Sequence, residues 1–424
     1  PEHAYNIFDT EACCRRPFKY HMGFLKNFLS LVCMPEDKST FEGMDQIIHA
    51  AIEAAYDLAE DSVSGKPKPY RKSENKTLDA VLDKLDVSFP RHASWWQVAD
   101  YFAERGDIRH ARMATQHAVP VIHDLLEAIQ EDRVWGNYGT NTPTAGQEKG
   151  LEIFRRYITS FIDKYPTLNK PTRLDLGDAR IVALDIHRVA PEGAANERQT
   201  ELMYLMGFQI ISRNFFLDPE DAEQAPECVR SIHRERFREF RESFKRLECD
   251  EFQRTVKAPF IRQQFEEAAR RAAKLNVRIG LTSQKITDFG EYLTQHSTAR
   301  FILGVANPEE ATEVSNILGL SNAARNIVHH GLKGPNRDGT GSPLILQILV
   351  HNQLYEMYLL NMLGPIELWA LSTNPEDVAL RRRVYTAIGS SEARRRLARI
   401  FPKGSASDEI NRRRDAMIRN GATD

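Results

Sequence analysis

The sequence predicts an α/β protein, with a mostly parallel sheet flanked by helices and a large all-helical segment before it. Three observations predict this. From residue 245 onward, short apolar runs alternate with helical stretches at the spacing of strand–helix–strand units. Between residues 41 and 129, apolar residues recur every three or four positions with no strand-like run. A chain of 424 residues, 42% hydrophobic and 27% charged, has the composition of a globular protein large enough for more than one subdomain.

The elements follow in order. Apolar residues at helical spacing mark a helix from Asp45 to Tyr56, and Ser64-Gly65-Lys66-Pro67-Lys68-Pro69 breaks the pattern as a loop. Ser94 is placed to cap a helix that begins Trp95-Trp96, a pair read as half core and half surface. A helix is expected over 108–129 with a bend at Pro120, then a Gly/Thr/Pro-rich loop over 136–150. Residues 180–186 form a run of strand length, followed by helices over 197–216 and 225–244, the second setting Phe residues beneath a charged face. Strands are expected over 245–251, 277–283 and 299–305, as neighbours in one sheet, with helices over 259–274, 287–296 and 308–318. Two more strands are expected over 344–350 and 366–372, and a helical tail from Pro375.

Charge and cysteine usage narrow the class. The formal charge of −2 favours no polyanionic partner globally, but residues 375–424 carry 12 Lys/Arg against 7 Asp/Glu. The triplets Arg381–Arg383, Arg394–Arg396 and Arg412–Arg414 leave two readings open, solvated helix faces or an acidic or nucleic-acid partner. Five cysteines make no paired framework, which fits a reducing compartment. Cys13, Cys14, His21 and Cys33 match no finger or ribbon spacing, so no zinc site is expected. No apolar run approaches the roughly 20 residues that cross a bilayer. The opening PEHAYNIFDT, without an initiator Met, is what a segment cut from inside a larger protein would show. His329-His330 forms no HExxH-type pair, and no G-x-S-x-G elbow occurs.

The chemistry concentrates at Lys245-Arg246-Leu247-Glu248-Cys249-Asp250-Glu251. Two adjacent carboxylates leaving a strand are what triphosphate hydrolysis uses, one for the Mg²⁺ shell and one to polarise the attacking water. A second strand ends in Ser283-Gln284, and a Gln at that tip could reach the γ-phosphate or the water. Taken alone, an Asp-Glu pair is more often a solvated helix start.

Five strings then add a resemblance: Asn6-Ile7-Phe8-Asp9-Thr10, Cys249-Asp250-Glu251-Phe252-Gln253-Arg254-Thr255, Ile279-Gly280-Leu281-Thr282-Ser283-Gln284, Leu371-Ser372-Thr373-Asn374-Pro375-Glu376-Asp377, and 398–406. In this order the chain resembles the IcmB/DotO (TraU-like) ATPases of type IVB secretion and related conjugation systems. The resemblance implies a RecA-like P-loop NTPase core with a helical insertion, divided as 1–40 (start of the core), 41–170 (insertion), 171–374 (core) and 375–424 (basic helical tail). It implies ATP and Mg²⁺ as cofactors, Asp250 as the Walker B carboxylate, Glu251 as the catalytic one and Gln284 as the sensor. It makes 180–186 a core strand with Asp185 in its loop; a rival reading of Asp185 as Walker B fails for want of a second carboxylate at Ile186. Implied partners are further copies in a ring (a hexamer), a second secretion ATPase and inner-membrane channel proteins, at the cytoplasmic face of a bacterial inner membrane. Nucleic acid is left open through the DNA-translocating motors of the same superfamily, and a non-hydrolysing docking scaffold is the rival of another class.

Two departures stand out. No G-x-x-x-x-G-K-[ST] occurs in these residues, and the Gly-rich stretch at 331–341 has the wrong order, so the family's phosphate loop is expected upstream of Pro1. Ala273 stands before Lys274 where relatives often carry Arg; Arg270 and Arg271, one turn earlier, read either as a trans-acting finger or as a solvated helix face.

Overall fold

The computed structural model describes residues 4–33, 43–62, 65–140, 148–174, 176, 179–191, 193, 196–332, 334, 341–407 and 409–413. Of the expectations above, those on 41–42, Ser64, 141–147, 335–340 and Arg414 lie outside the described residues. The chain divides between Asp288 and Phe289 into two compact units.

In the first unit, ten helices precede the strands: α1 (Lys19–Cys33), α2 (Met44–Ala59), α3 (Lys76–Lys84), α4 (Trp95–Glu104), α5 (Ile108–Ala118), α6 (Asp124–Ala128), α7 (Asp132–Tyr138), α8 (Gly150–Lys164), α9 (Glu197–Ser212) and α10 (Glu227–Glu242) among the described residues. They start where the sequence offers acceptors to the first turn. Asn75, Ser94 and Asp107 each accept a backbone N–H three residues on, and Gln97 returns the bond to Ser94 as a capping box. The helix expected over 108–129 is two helices. α5 stops at Ala118 because Pro120 holds the residue before it extended, and α6 starts at Asp124.

These helices do not make a separate lobe. Trp95, Trp96 and Phe102 of α4 share one core with Ala12, Phe18, Leu217 and Phe237, and Phe18 meets Phe237 edge to face at 5.5 Å. The segment is bounded on both sides by chain that supplies many of its apolar partners, so its helices bury their faces against those flanks. The Trp pair is all core. Trp95 stacks on His117 at 4.3 Å, and Trp96 donates to the Ala59 carbonyl beneath the Arg15 guanidinium.

A polar network ties residues 4–14 into this core. Asn6 is fully buried; its amide donates to the Pro120 carbonyl, and its backbone N–H donates to the Thr172 hydroxyl. Glu11, 5% exposed, accepts from Arg213 at 3.0 Å and from Arg236. Asp9 is buried with one carboxyl oxygen lacking a partner, and burial pushes its carboxyl up to about 6. A carboxyl raised on folding favours the native state at low pH, and that contribution is lost as pH rises through about 6. Asp9→Asn, which keeps the shape without the charge, is therefore expected to raise the urea-unfolding free energy above neutral pH by about 2–3 kcal/mol. The gain should shrink as pH falls below about 6 and vanish only near the unfolded carboxyl value, about 4; a gain independent of pH would show that charge is not the cause.

After α10 come β1 (Lys245–Cys249), α11 (Pro259–Ala272) and β2 (Val277–Leu281). β1 and β2 pair in parallel, Lys245 opposite Val277 through Cys249 opposite Leu281. Lys245, Leu247 and Val277 are buried, while Arg246, Glu248 and Arg278 on the other face are exposed. Glu248 extends over Gly280, where a Cβ would stand 2.3 Å from its carboxylate. The expected larger parallel sheet is a two-stranded one among the described residues. Residues 180–186 join no ladder: Ile181 is 92% exposed, and Asp185 turns the chain by accepting from the His187 N–H.

The second unit holds α12 (Gly290–His296), β3 (Ala299–Ile302), α13 (Pro308–Ile317), α14 (Asn322–His330), β4 (Ser342–Val350), β5 (Gln353–Asn361), α15 (Pro365–Leu371), α16 (Pro375–Ile388) and α17 (Ser390–Ile400). β3, expected beside β2, is instead the edge of an antiparallel sheet ordered β3-β4-β5. β4 and β5 are joined by His351-Asn352, both left-handed at φ 47° and 62°, a two-residue turn whose twist suits a hairpin. That hairpin offers β3 a long neighbouring strand close in sequence, and Arg300 fixes the pairing by reaching Gln347 at 2.6 Å. The strand expected over 366–372 is α15. Gly364, Pro365 at the first helical position and Glu367 folding back onto the Gly364 N–H form a helix start that outweighs the apolar run. Trp369 is buried against Leu397, Ala398 and Ala406, and the buried Asp377 carboxylate holds the Ala406 N–H at 2.8 Å.

Candidate functional site

The site is built at the carboxyl ends of β1 and β2. The ladder continues one step past β1, since Thr282 donates to the Cys249 carbonyl and Phe252 to the Thr282 carbonyl. Between those bonds the chain turns outward at Asp250 and Glu251, both exposed. Glu251 sits in the left-handed region at φ 53° and ψ 45°, which ends the strand and starts the short 3₁₀ turn Phe252–Thr255. Asp250 accepts the Glu251 N–H at 2.9 Å, leaving its other oxygen toward solvent. The two carboxylates are thus held by the turn itself.

The same turn places one residue whose role sequence reading missed. Arg254, its side chain 9% exposed, has its Nε 3.7 Å from the Glu251 carboxylate and acts on the Tyr204 hydroxyl of α9. Burial, with the Cys249 thiol next, raises the Tyr204 hydroxyl above its usual range. Phe252 and Thr255 anchor the turn in the core, Phe252 edge-on to Phe265 of α11 at 5.4 Å. The one available signal was the spacing, since an Arg three residues after Glu251 in a turn faces it.

The tip of β2 runs alongside. Ser283 Oγ lies 2.6 Å from the Asp288 carboxylate and 3.0 Å from Gln253 Oε1, and Asp288 also accepts the Lys285 N–H. Asp288, not foreseen, therefore shapes the loop that carries Gln284, which is exposed. Asp250, Glu251 and Gln284 gather at one end of the strand pair.

Arg270 and Arg271 do not join them. They close α11, which runs back against the strands and delivers the chain to the start of β2, so they lie at the opposite end of the pair. Arg271 donates to the Phe216 carbonyl and lies over Tyr20 and Phe216 at 5.5 and 5.4 Å, while Arg270 is exposed beside Glu266 at 3.5 Å.

The remaining candidate groups are engaged elsewhere. Cys13, Cys14 and Cys33 are buried, and burial pushes each thiol well above the usual range. His21 has Nε2 at 2.7 Å from the Ile7 carbonyl, and burial lowers it to about 4. No helix among the described residues is long and apolar enough to cross a membrane.

No protein-family model matches this chain, and no curated protein does either. Among solved structures, VirB4 of Thermoanaerobacter pseudethanolicus is similar, at 12% identity and a TM-score of 0.45, over 89% of this chain and 75% of that one. A likeness at that level assigns neither fold nor activity.

Proposed function

We propose that this chain supplies the carboxylate and sensor side of the nucleotide site in an ATPase subunit of a type IVB secretion or conjugation machine, coupling ATP hydrolysis to channel assembly or substrate export. The observation that carries the reading is the placement of Asp250 and Glu251 at the carboxyl end of β1, with Gln284 at the tip of its parallel neighbour. In open α/β sheets that edge is where ligands bind. The five strings shared in order with the IcmB/DotO family support the same reading.

In it, Asp250 holds the water shell of Mg²⁺, Glu251 orients and polarises the attacking water, and Gln284 meets the γ-phosphate or that water. Arg254 fixes the Glu251 carboxylate in place. With Arg271 bonded within its own subunit, a trans-acting role falls to Arg270 or to neither. These residues hold no phosphate loop, so the intact protein supplies it from elsewhere. The RecA-like core, the hexameric ring, the docking of a second secretion ATPase and of inner-membrane channel proteins, and a peripheral place on the cytoplasmic face belong to the same proposal. A G-x-x-x-x-G-K-[ST] loop in the intact protein would favour the motor, and its absence there would favour the rival, a docking scaffold with vestigial carboxylates.

Asp250→Asn in the intact protein separates the two. Loss of the charge behind the metal's water shell should weaken Mg²⁺-dependent binding of a fluorescent ATP analogue about 10- to 100-fold. Binding without Mg²⁺ should change little. Equal affinity of variant and parent in Mg²⁺ would remove Asp250 from the site and leave the scaffold.

A further inference from the structure

The first unit contains an open cleft of about 1960 Å³ that includes neither Asp250, Glu251 nor Gln284. It runs from the start of α3 along α5 and residues 170–173 to the ends of α9 and α10. Small-molecule sites are typically about 300–1,000 Å³, so the cleft suits an extended ligand.

Its charge is one-sided. Lys76, Arg112, Lys170 and Arg173 line it; no hydrogen-bond or ion-pair acceptor engages the charged ends of Lys76, Lys170 and Arg173 among the described residues, while Arg112 also feels the Glu11 carboxylate. Among the described residues, the acidic groups of the wall are already committed: Glu11 to Arg213 and Arg236, Glu248 to Arg246, and Glu74 to the Trp95 indole N–H. The titrating groups register the resulting potential. Burial first, and the neighbouring Arg213 next, lower Arg112; burial, then Lys68 and Arg173, hold His117 down at about 4. His117 is thus a neutral acceptor, consistent with its Nε2 lying 3.2 Å from the Asn75 amide. Phe215 and Phe240 line the same cleft with half-buried rings, Phe240 under the Arg236 guanidinium at 5.4 Å.

We infer that this cleft binds a short run of single-stranded nucleic acid, its phosphates on Lys76, Arg112, Lys170 and Arg173 and its bases against Phe215 and Phe240. Several cations in one open cleft can engage successive phosphates of a phosphodiester chain, and aromatic faces in the same cleft accept any base. The inference is independent of the carboxylates at the strand ends and is read by binding rather than hydrolysis.

The test is fluorescence anisotropy of a labelled oligothymidylate with the whole chain. Lys76→Glu and Arg173→Glu alter exposed positions, and Lys76 opens a helix, where Glu is favourable, so both variants should fold. Each should weaken binding by at least about threefold, and the salt slope should become shallower by about 0.7 for each phosphate no longer engaged. Arg396→Glu, on α17, is the control and should leave binding unchanged. If Arg396→Glu abolishes binding while the cleft variants bind like the parent, the site is the basic tail and the inference fails. It fails equally if inorganic tripolyphosphate binds the cleft as tightly as the oligonucleotide, since that is an anion site without a strand.

Discussion

Replacing Glu11 with glutamine is expected to cost about 3–5 kcal/mol of folding stability, the usual scale for breaking a buried ion pair from one side. Glu11 is the anionic centre for three cations. Burial alone would raise its carboxyl, but Arg236, Arg213 and Arg112, in that order, hold it well below the ordinary range. Removing the charge leaves Arg213, whose side chain is 11% exposed, with Arg236 and Arg112 and without the carboxylate that both Arg213 and Arg236 bond. A carboxyl lowered on folding contributes stability that is present above its unfolded value and lost as pH falls through the folded one. The penalty should therefore be complete at neutral pH and shrink only in strong acid, opposite in direction to Asp9→Asn. Urea unfolding across pH reads both. In the double variant with Arg236→Gln, part of the loss should return, because one of the uncompensated cations has gone. A single-variant cost under about 1 kcal/mol, the level of an exposed pair, would mean that solvent already screens the cluster.

In the intact protein, Glu251→Gln should leave nucleotide affinity in place and slow hydrolysis about 10²- to 10⁴-fold, the range of a positioned general base. The amide is isosteric and can still bond to Arg254, so the turn persists, but it cannot polarise water. Gln284→Ala should give a smaller loss, and Asp250→Asn should fail at binding instead. Steady-state turnover beside equilibrium nucleotide titration distinguishes the three. Unchanged turnover in Glu251→Gln would end the hydrolytic reading.

The candidate site was legible because it is local. The carboxylate pair, its strand and the Ser283-Gln284 tip lie on two runs whose apolar patterns announce strands, and their parallel register follows from the helix between them. Arg254 and Asp288 were not legible, since their roles come from a left-handed residue and a loop that no pattern encodes. Periodicity also could not say which sheet a strand joins. β3 has the right composition for the parallel pair, but the hairpin that captures it depends on a His-Asn turn that lacks the usual glycine. At 366–372 the apolar run and the Gly-Pro-x-Glu start signal disagreed, and the backbone bonds at the helix start prevailed. Of the Asp9–Glu11 network only Asp9 stood in a recognised string, and Glu11 was not legible, because its partners lie far along the chain.

That distance has a consequence during synthesis. Glu11 leaves the ribosome 225 residues before Arg236 and 202 before Arg213. Until then the segment around it carries acidic groups with no place to be buried, so the first unit cannot close its core while most of it is already made. The β4–β5 hairpin, by contrast, finds its partner as soon as Asn361 emerges. Long-range closure is the slow event in such a chain. The buried charge cluster of the first unit therefore waits on residues made late in its synthesis, whereas the β4–β5 hairpin of the second needs only neighbouring chain.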